Sequence, residues 1–195
     1  MSCNISHLTK KKMAYKGKQI TNPVSRQTIT FVTTAKESKG DQLEMVSTWE
    51  PTSFKPSPHY HPYQDEVFEV MDGELTLLLN GKTWTLKKGE SIHIPATAVH
   101  SMWNASKTNV VARWKVFPAL NTEYLLETGM GLAADGKTTN DGVPDLLQVA
   151  LLAKKFKKEF RLKKPPFVVQ QIIFGMLAPL ARLKGKKAIY PKYID

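Results

Sequence analysis

Cysteine is almost missing from this chain: among 195 residues there is one, Cys3. A single thiol excludes an internal disulfide and fits a reducing cytoplasm. Long apolar runs are missing as well. No hydrophobic segment follows the start, so no secretory leader is expected. The most apolar stretch, 167–181, is 15 residues long and contains Gln170 and Gln171. It falls short of the roughly 20 residues a membrane span needs. Internal repeats and low-complexity tracts are lacking. The lysines have no aromatic stacking platform or recognition motif among them, so nucleic acid is not expected as a partner. What remains is ordinary for a folded chain, with 42% hydrophobic and 23% charged residues. That balance excludes general disorder, and the length allows one domain plus an extension.

The most informative feature present is a set of spacings. His59 and His61 form an H-x-H triplet, and residues 62–65 separate them from Glu66. Residues 67–72 lead on to Gly73, and 74–88 to Gly89. A second segment then reads Gly89, Pro95, His100 and Asn104. A lone histidine is ordinarily a surface or core residue, but three at these spacings beside a glutamate suit a divalent transition metal with open positions left over. Alternate residues of a strand share a face, so His59 and His61 are expected to project the same way. Tyr60 and Tyr63 then fall outside, and His93 reads as a strand residue. His7 lies in a polar start.

The surrounding pattern is mainly β. Strands are expected over 26–34, 43–49, 66–71, 75–79, 82–86, 91–94, 99–103 and 109–117. Asp72-Gly73 marks a turn with 75–79 as its return strand, and Asn80-Gly81 is a stronger hairpin signal. His100 reaches the His59 and His61 face only if the sheet curls onto itself, as a jelly-roll barrel does. After Pro118 the period changes. Helices are expected over 122–132, from Pro144 onward, and over 167–183 with a kink at Pro179. The helix opened by Pro144 carries a stripe of Leu146, Val149, Ala150, Ala153, Phe156 and Phe160. Three parts result: a flexible segment at 1–18, a barrel over 19–118 and a helical extension over 119–195.

From about Pro58 to Asn104 the chain resembles the cupin superfamily, including its type-2 and RmlC-like members. The first motif, G-x5-H-x-H-x3,4-E-x6-G, is matched from His59 to Gly73. The second, G-x5-P-x-G-x2-H-x3-N, is matched from Gly89 to Asn104. Two glycine positions depart, being Ser53 and Thr97 here; no ligand position does. The resemblance implies a double-stranded β-helix (jelly-roll) barrel followed by the C-terminal helices. It implies a metal held by His59, His61, Glu66 and His100, with Fe, Mn, Ni, Cu, Co and Zn all admissible. It also implies a homodimer, and a further role for Glu66 as a catalytic proton acceptor.

Strand period turns Phe68 and Met102 toward that site, and Trp49 and Trp114 join them as expected pocket residues, otherwise serving as core. Such a lining favours a small, partly apolar substrate over a free sugar. The expected activity is that of a small metal-dependent oxygenase or oxidoreductase resembling cupin dioxygenases. A metal-dependent isomerase and a non-catalytic binding or sensing protein remain open. Charge adds one more expectation. Residues 143–195 hold 12 Lys and Arg against 3 Asp and Glu, while residues 1–142 hold 16 against 14. The basic tail fits a solvated face packed on its own barrel, and secondarily a peripheral membrane contact.

Overall fold

A computed structural model describes residues 14–51 and 54–194. His7, Cys3 and most of the expected flexible start lie outside the described residues. Of that start, Ala14 is buried and the Gly17 N–H donates to Phe31 O at 2.8 Å.

Alternation builds the barrel. One sheet contains, in spatial order, β1 (Gln19–Asn22), β2 (Gln27–Thr33), β3 (Leu43–Trp49), β10 (Val110–Phe117), β5 (Asp65–Asp72) and β8 (Ser91–Ile94). The other contains β11 (Arg161–Leu162), β4 (His59–Tyr60), β9 (His100–Trp103), β6 (Glu74–Leu79) and β7 (Lys82–Lys87). Every pairing is antiparallel. In β3, Leu43, Met45, Ser47 and Trp49 are buried and the residues between them half-buried, as one covered face requires. Glu66, Phe68 and Val70 of β5 turn inward in the same way. The fold is mainly β, a jelly-roll barrel with a helical extension.

The chain passes repeatedly between the two sheets, and this corrects one expectation. β5 and β6 do not form a hairpin: β5 pairs with β10 and β8, while β6 pairs with β7 and β9. Asp72-Gly73 is a turn, but one that changes sheets. Gly73 has φ of +77° there, and an added Cβ would sit 2.4 Å from Asn109 O. Neither the backbone angle nor the space admits a side chain. Asn80-Gly81 does close the β6–β7 hairpin, with φ of +48° and +87°, as a type I′ turn demands.

Two apolar clusters fill the barrel. Trp49, Phe68, Val70, Leu75, Leu77 and Val110 belong to one. Ile29, Phe31, Leu43, Met45 and Val116 belong to the other, which α1 (Thr122–Ala134) covers with Met130. Next come α2 (Leu146–Lys155), α3 (Phe167–Leu183) and the short α4 (Pro191–Ile194). α2 does not begin at Pro144, the start that the sequence suggests. Asp145 is its N-cap, and its side chain accepts from the N–H groups of Leu147 and Gln148 at 3.1 and 3.2 Å. Those bonds satisfy donors that proline one residue earlier could not. The helix also ends before Phe160, and Leu146 is exposed rather than part of a buried stripe. Leu151 of α2 packs against Ala178 and Ala181 of α3.

Candidate metal centre

His59 and His100 face each other across the β4–β9 pairing, and His61 follows directly after β4. One ring nitrogen from each of the three lies within 4.8 Å of the others. Each Nδ1 is held by a main-chain carbonyl. The partners are Ser57 at 3.2 Å for His59, Glu159 at 2.5 Å for His61 and Ala98 at 3.0 Å for His100. A carbonyl only accepts, so each Nδ1 carries its proton and each Nε2 is left with a lone pair.

Glu66 comes in from the opposite sheet. Its Oε2 lies 2.9 Å from His100 Nε2 and 3.3 Å from His61 Nε2. These contacts are close enough to be ion pairs, and all three atoms are buried with no further hydrogen-bond partner among the described residues. We read them as charge contacts. Three lone pairs turned on one another need a positive charge between them. A divalent cation satisfies that need, and imidazole with carboxylate is the donor set such ions take. The residues therefore fit a bound transition metal.

The titration behaviour follows from the same crowding. His59 lines the open cavity and is partly accessible, but protein encloses its ring. Burial, followed by the charges of His100 and His61, lowers its pKa to about 3. For His61, burial works against the charged form, but the Glu66 carboxylate and the Glu159 carbonyl outweigh it and raise the pKa above its usual value. Burial would raise the Glu66 pKa, and the neighbouring His61 and His100 override it, holding the carboxyl well below its ordinary range. Glu66 is thus held as an anion, and in the absence of metal His61 is the histidine of the three that its neighbours favour for taking up a proton at Nε2, where a metal would displace it.

The groups around these residues fix their positions. Trp114 Nε1 donates to Glu66 Oε1 at 2.9 Å, which aims Oε2 at the histidines. Trp114→Phe keeps the ring and removes that donor. Metal affinity is expected to fall about 10- to 100-fold, measured by competition with a chromogenic chelator. Unchanged affinity would show that Glu66 needs no such support. Behind His61, the Thr97 N–H donates to His61 O at 2.8 Å. Asp65 joins β5 to the same loop, with Oδ1 accepting from the Ala96 N–H at 2.9 Å and Oδ2 2.7 Å from His93 Nε2. His93 thus holds a loop on the outside and is not part of the centre.

Thr97, one of the two departures from the motif, has φ of +70°. A β-branched residue is strained in that region. Thr97→Gly is expected to raise stability by about 1 kcal/mol, seen as a higher urea midpoint at unchanged slope. A lower midpoint would mean that the threonine side chain contributes more than the strain removes.

The centre opens into a cavity of about 390 Å³ lined mostly by apolar side chains. The four expected pocket residues, Trp49, Phe68, Met102 and Trp114, are all on its wall. Sequence reasoning missed the rest of the enclosure, which the extension supplies. Phe160 stacks on His59 with centroids 4.7 Å apart and an angle of 26°. β11 pairs with β4, setting Leu162 opposite His59. The buried Glu159 holds this cover to α1, its Oε1 accepting from the main-chain and side-chain N–H groups of Asn121 at 3.2 and 2.7 Å. Leu126 of α1 and Phe156 complete the apolar wall, and Gln170 of α3 reaches it too.

A sequence profile described as the cupin domain matches residues 45–116, the stretch that carries β3 to β10 and every candidate ligand. Among curated proteins, the chain is 31% identical over 70 residues to quercetin 2,3-dioxygenase of Bacillus subtilis (strain 168), covering 36% of this chain and 21% of that one. It is 41% identical over 54 residues to an uncharacterized protein of Aquifex aeolicus (strain VF5), covering 28% and 45%. The chain spans less than half the length of these curated relatives. A solved structure with similarity is KdgF from Halomonas sp., 15% identical at a TM-score of 0.45, covering 56% of this chain and 94% of that one. Motif, profile and barrel agree on one assignment: residues 45–116 form a cupin domain, and the resemblance of this stretch to the cupin superfamily holds.

Proposed function

We propose that this chain is a metal-dependent oxygenase acting on a small, partly apolar substrate. The observation that carries this reading is the pairing of a three-histidine, one-carboxylate centre with a mostly apolar cavity of about 390 Å³. His59, His61, Glu66 and His100 are the ligands in this reading. A bound metal of this class polarises a coordinated oxygen or acidifies a coordinated hydroxyl. The protein contributes position and exclusion of water. Trp49, Phe68, Met102 and Trp114 offer an apolar face on the barrel side, and Phe156 and Phe160 a matching one on the helical side. Such walls favour an aromatic or similarly flat ligand over a sugar, whose hydroxyls would lose water without replacement partners. In this reading Glu66 is also the residue that would accept a proton from a substrate hydroxyl, its Oε1 being held by Trp114. The local likeness to a quercetin dioxygenase supports the same substrate class.

The test is oxygen uptake. Protein reloaded separately with Fe, Mn, Ni, Co, Cu or Zn is offered a panel of phenols and diketones. The expected result is oxygen consumption matched to substrate loss with one redox-active metal, and none with His59→Ala/His61→Ala. Conversion without oxygen uptake would replace the reading with an isomerase. A ligand that raises the melting temperature but is recovered unchanged would make the chain a binding or sensing protein.

A further inference from the structure

The outward face of α3 is unpartnered. Val168, Ile172, Met176, Leu180 and Leu183 recur along it, and three of them are strongly exposed: Val168 at 70%, Met176 at 68% and Leu183 at 86%. At 3.6 residues per turn these five fall within an arc of roughly 120°. The opposite side, with Gln170, Phe174, Ala178 and Ala181, is buried. α3 thus has two apolar sides, and the protein covers one. A continuous apolar stripe of this kind marks an interaction surface.

Charge says what covers it. Residues 160–194 contain eight Lys and Arg and no Asp or Glu. Lys163 and Lys164 lie just before α3, and Arg182, Lys184 and Lys187 lie at or after its end. All five are exposed, and none has a carboxylate partner among the described residues. A second copy of this chain fits poorly. Both ends of the stripe are basic, so two such helices would bring like charges together whether parallel or antiparallel, which costs affinity. A membrane-spanning role for α3 does not fit either, because among the described residues no helix is long and apolar enough to cross a membrane. A helix with an apolar face and basic ends lying in the plane of an anionic lipid surface satisfies both features.

We propose that α3 docks this protein peripherally on anionic bilayers, with Ile172, Met176 and their neighbours in the acyl boundary and the flanking lysines among the headgroups. This surface does not depend on the oxygenase reading.

The full-length chain is sedimented with phosphatidylcholine vesicles, with or without phosphatidylglycerol. It is expected to pellet with the anionic vesicles, to stay in solution with the neutral ones, and to be released progressively by salt. Ile172→Glu/Met176→Glu is expected to lower partitioning at least about tenfold with an unchanged melting temperature. Leu183→Glu, at the last helical position, provides a second variant if the first disturbs folding. The proposal is overturned if the wild type fails to bind, or if it binds neutral and anionic vesicles equally. It is also overturned if the glutamate variants bind as well as wild type, which would leave only diffuse charge attraction. A wild-type dimer that the glutamate variants convert to monomer, without vesicle binding, would assign the stripe to self-association instead.

Discussion

Replacing His61 with alanine is expected to lower metal affinity by more than about a hundredfold, beyond what losing a supporting group costs, while the barrel stays folded. His61 is buried, its Nε2 lies 3.3 Å from Glu66 Oε2, and its Nδ1 faces the Glu159 carbonyl. Removing it takes away one candidate ligand and the hydrogen bond to the helical cover. That bond is worth about 1 kcal/mol of stability, a small loss for a barrel with two apolar clusters. The same residue sets the pH dependence in the wild type. The His61 pKa is raised, so near pH 6 the metal-free centre holds a proton there. Metal must displace that proton, and affinity should fall about tenfold per pH unit below the His61 pKa. Glu66 remains an anion over this range because its pKa is held low. Chelator competition at several pH values, with circular dichroism of the variant, checks both statements. If His61→Ala keeps one equivalent at wild-type affinity, the metal is held elsewhere.

Phe68→Ala is expected to cost about 3–5 kcal/mol, the usual range for truncating a buried phenylalanine. In a domain of this size that is a melting temperature lower by roughly 10 °C. Phe68 is fully buried and stacks on Trp114 with centroids 5.4 Å apart and an angle of 21°. It also borders the cavity, so the variant separates two roles. As a core residue it should produce the full loss of stability. Trp114 would also lose its stacking partner and hold Glu66 less firmly, and metal affinity should drop with it. A melting temperature within about a degree of wild type would instead make Phe68 a wall beside free space. Calorimetry on metal-free protein reads the difference without a contribution from bound metal.

The local parts of the structure were legible in the sequence. β3 coincides with the alternation over 43–49, and Asn80-Gly81 closes the hairpin it marks. α3 spans the expected 167–183, bounded by Pro165-Pro166 in front and Gly185 behind. The candidate ligands are close in space because motif spacing encodes the curl of one barrel. Three features had no local signal. A turn such as Asp72-Gly73 specifies a positive φ but not which sheet receives the next strand. A two-residue strand such as β11 has no periodicity, so its pairing with β4 could not be read. Phe160 matched the apolar stripe of the preceding helix by spacing, and only tertiary contact takes it onto His59. The cover over the centre therefore came from contacts about a hundred residues apart in sequence, between 59–61 and 159–162.

The proposed function requires a metal between His59, His61, Glu66 and His100. Anomalous diffraction at the absorption edge of the metal found by elemental analysis tests it most directly. The expected result is one strong peak within bonding distance of the three Nε2 atoms and Glu66 Oε2, absent from crystals of His59→Ala/His61→Ala. A peak elsewhere on the chain, or none at this centre after reloading with each candidate metal, would contradict the account.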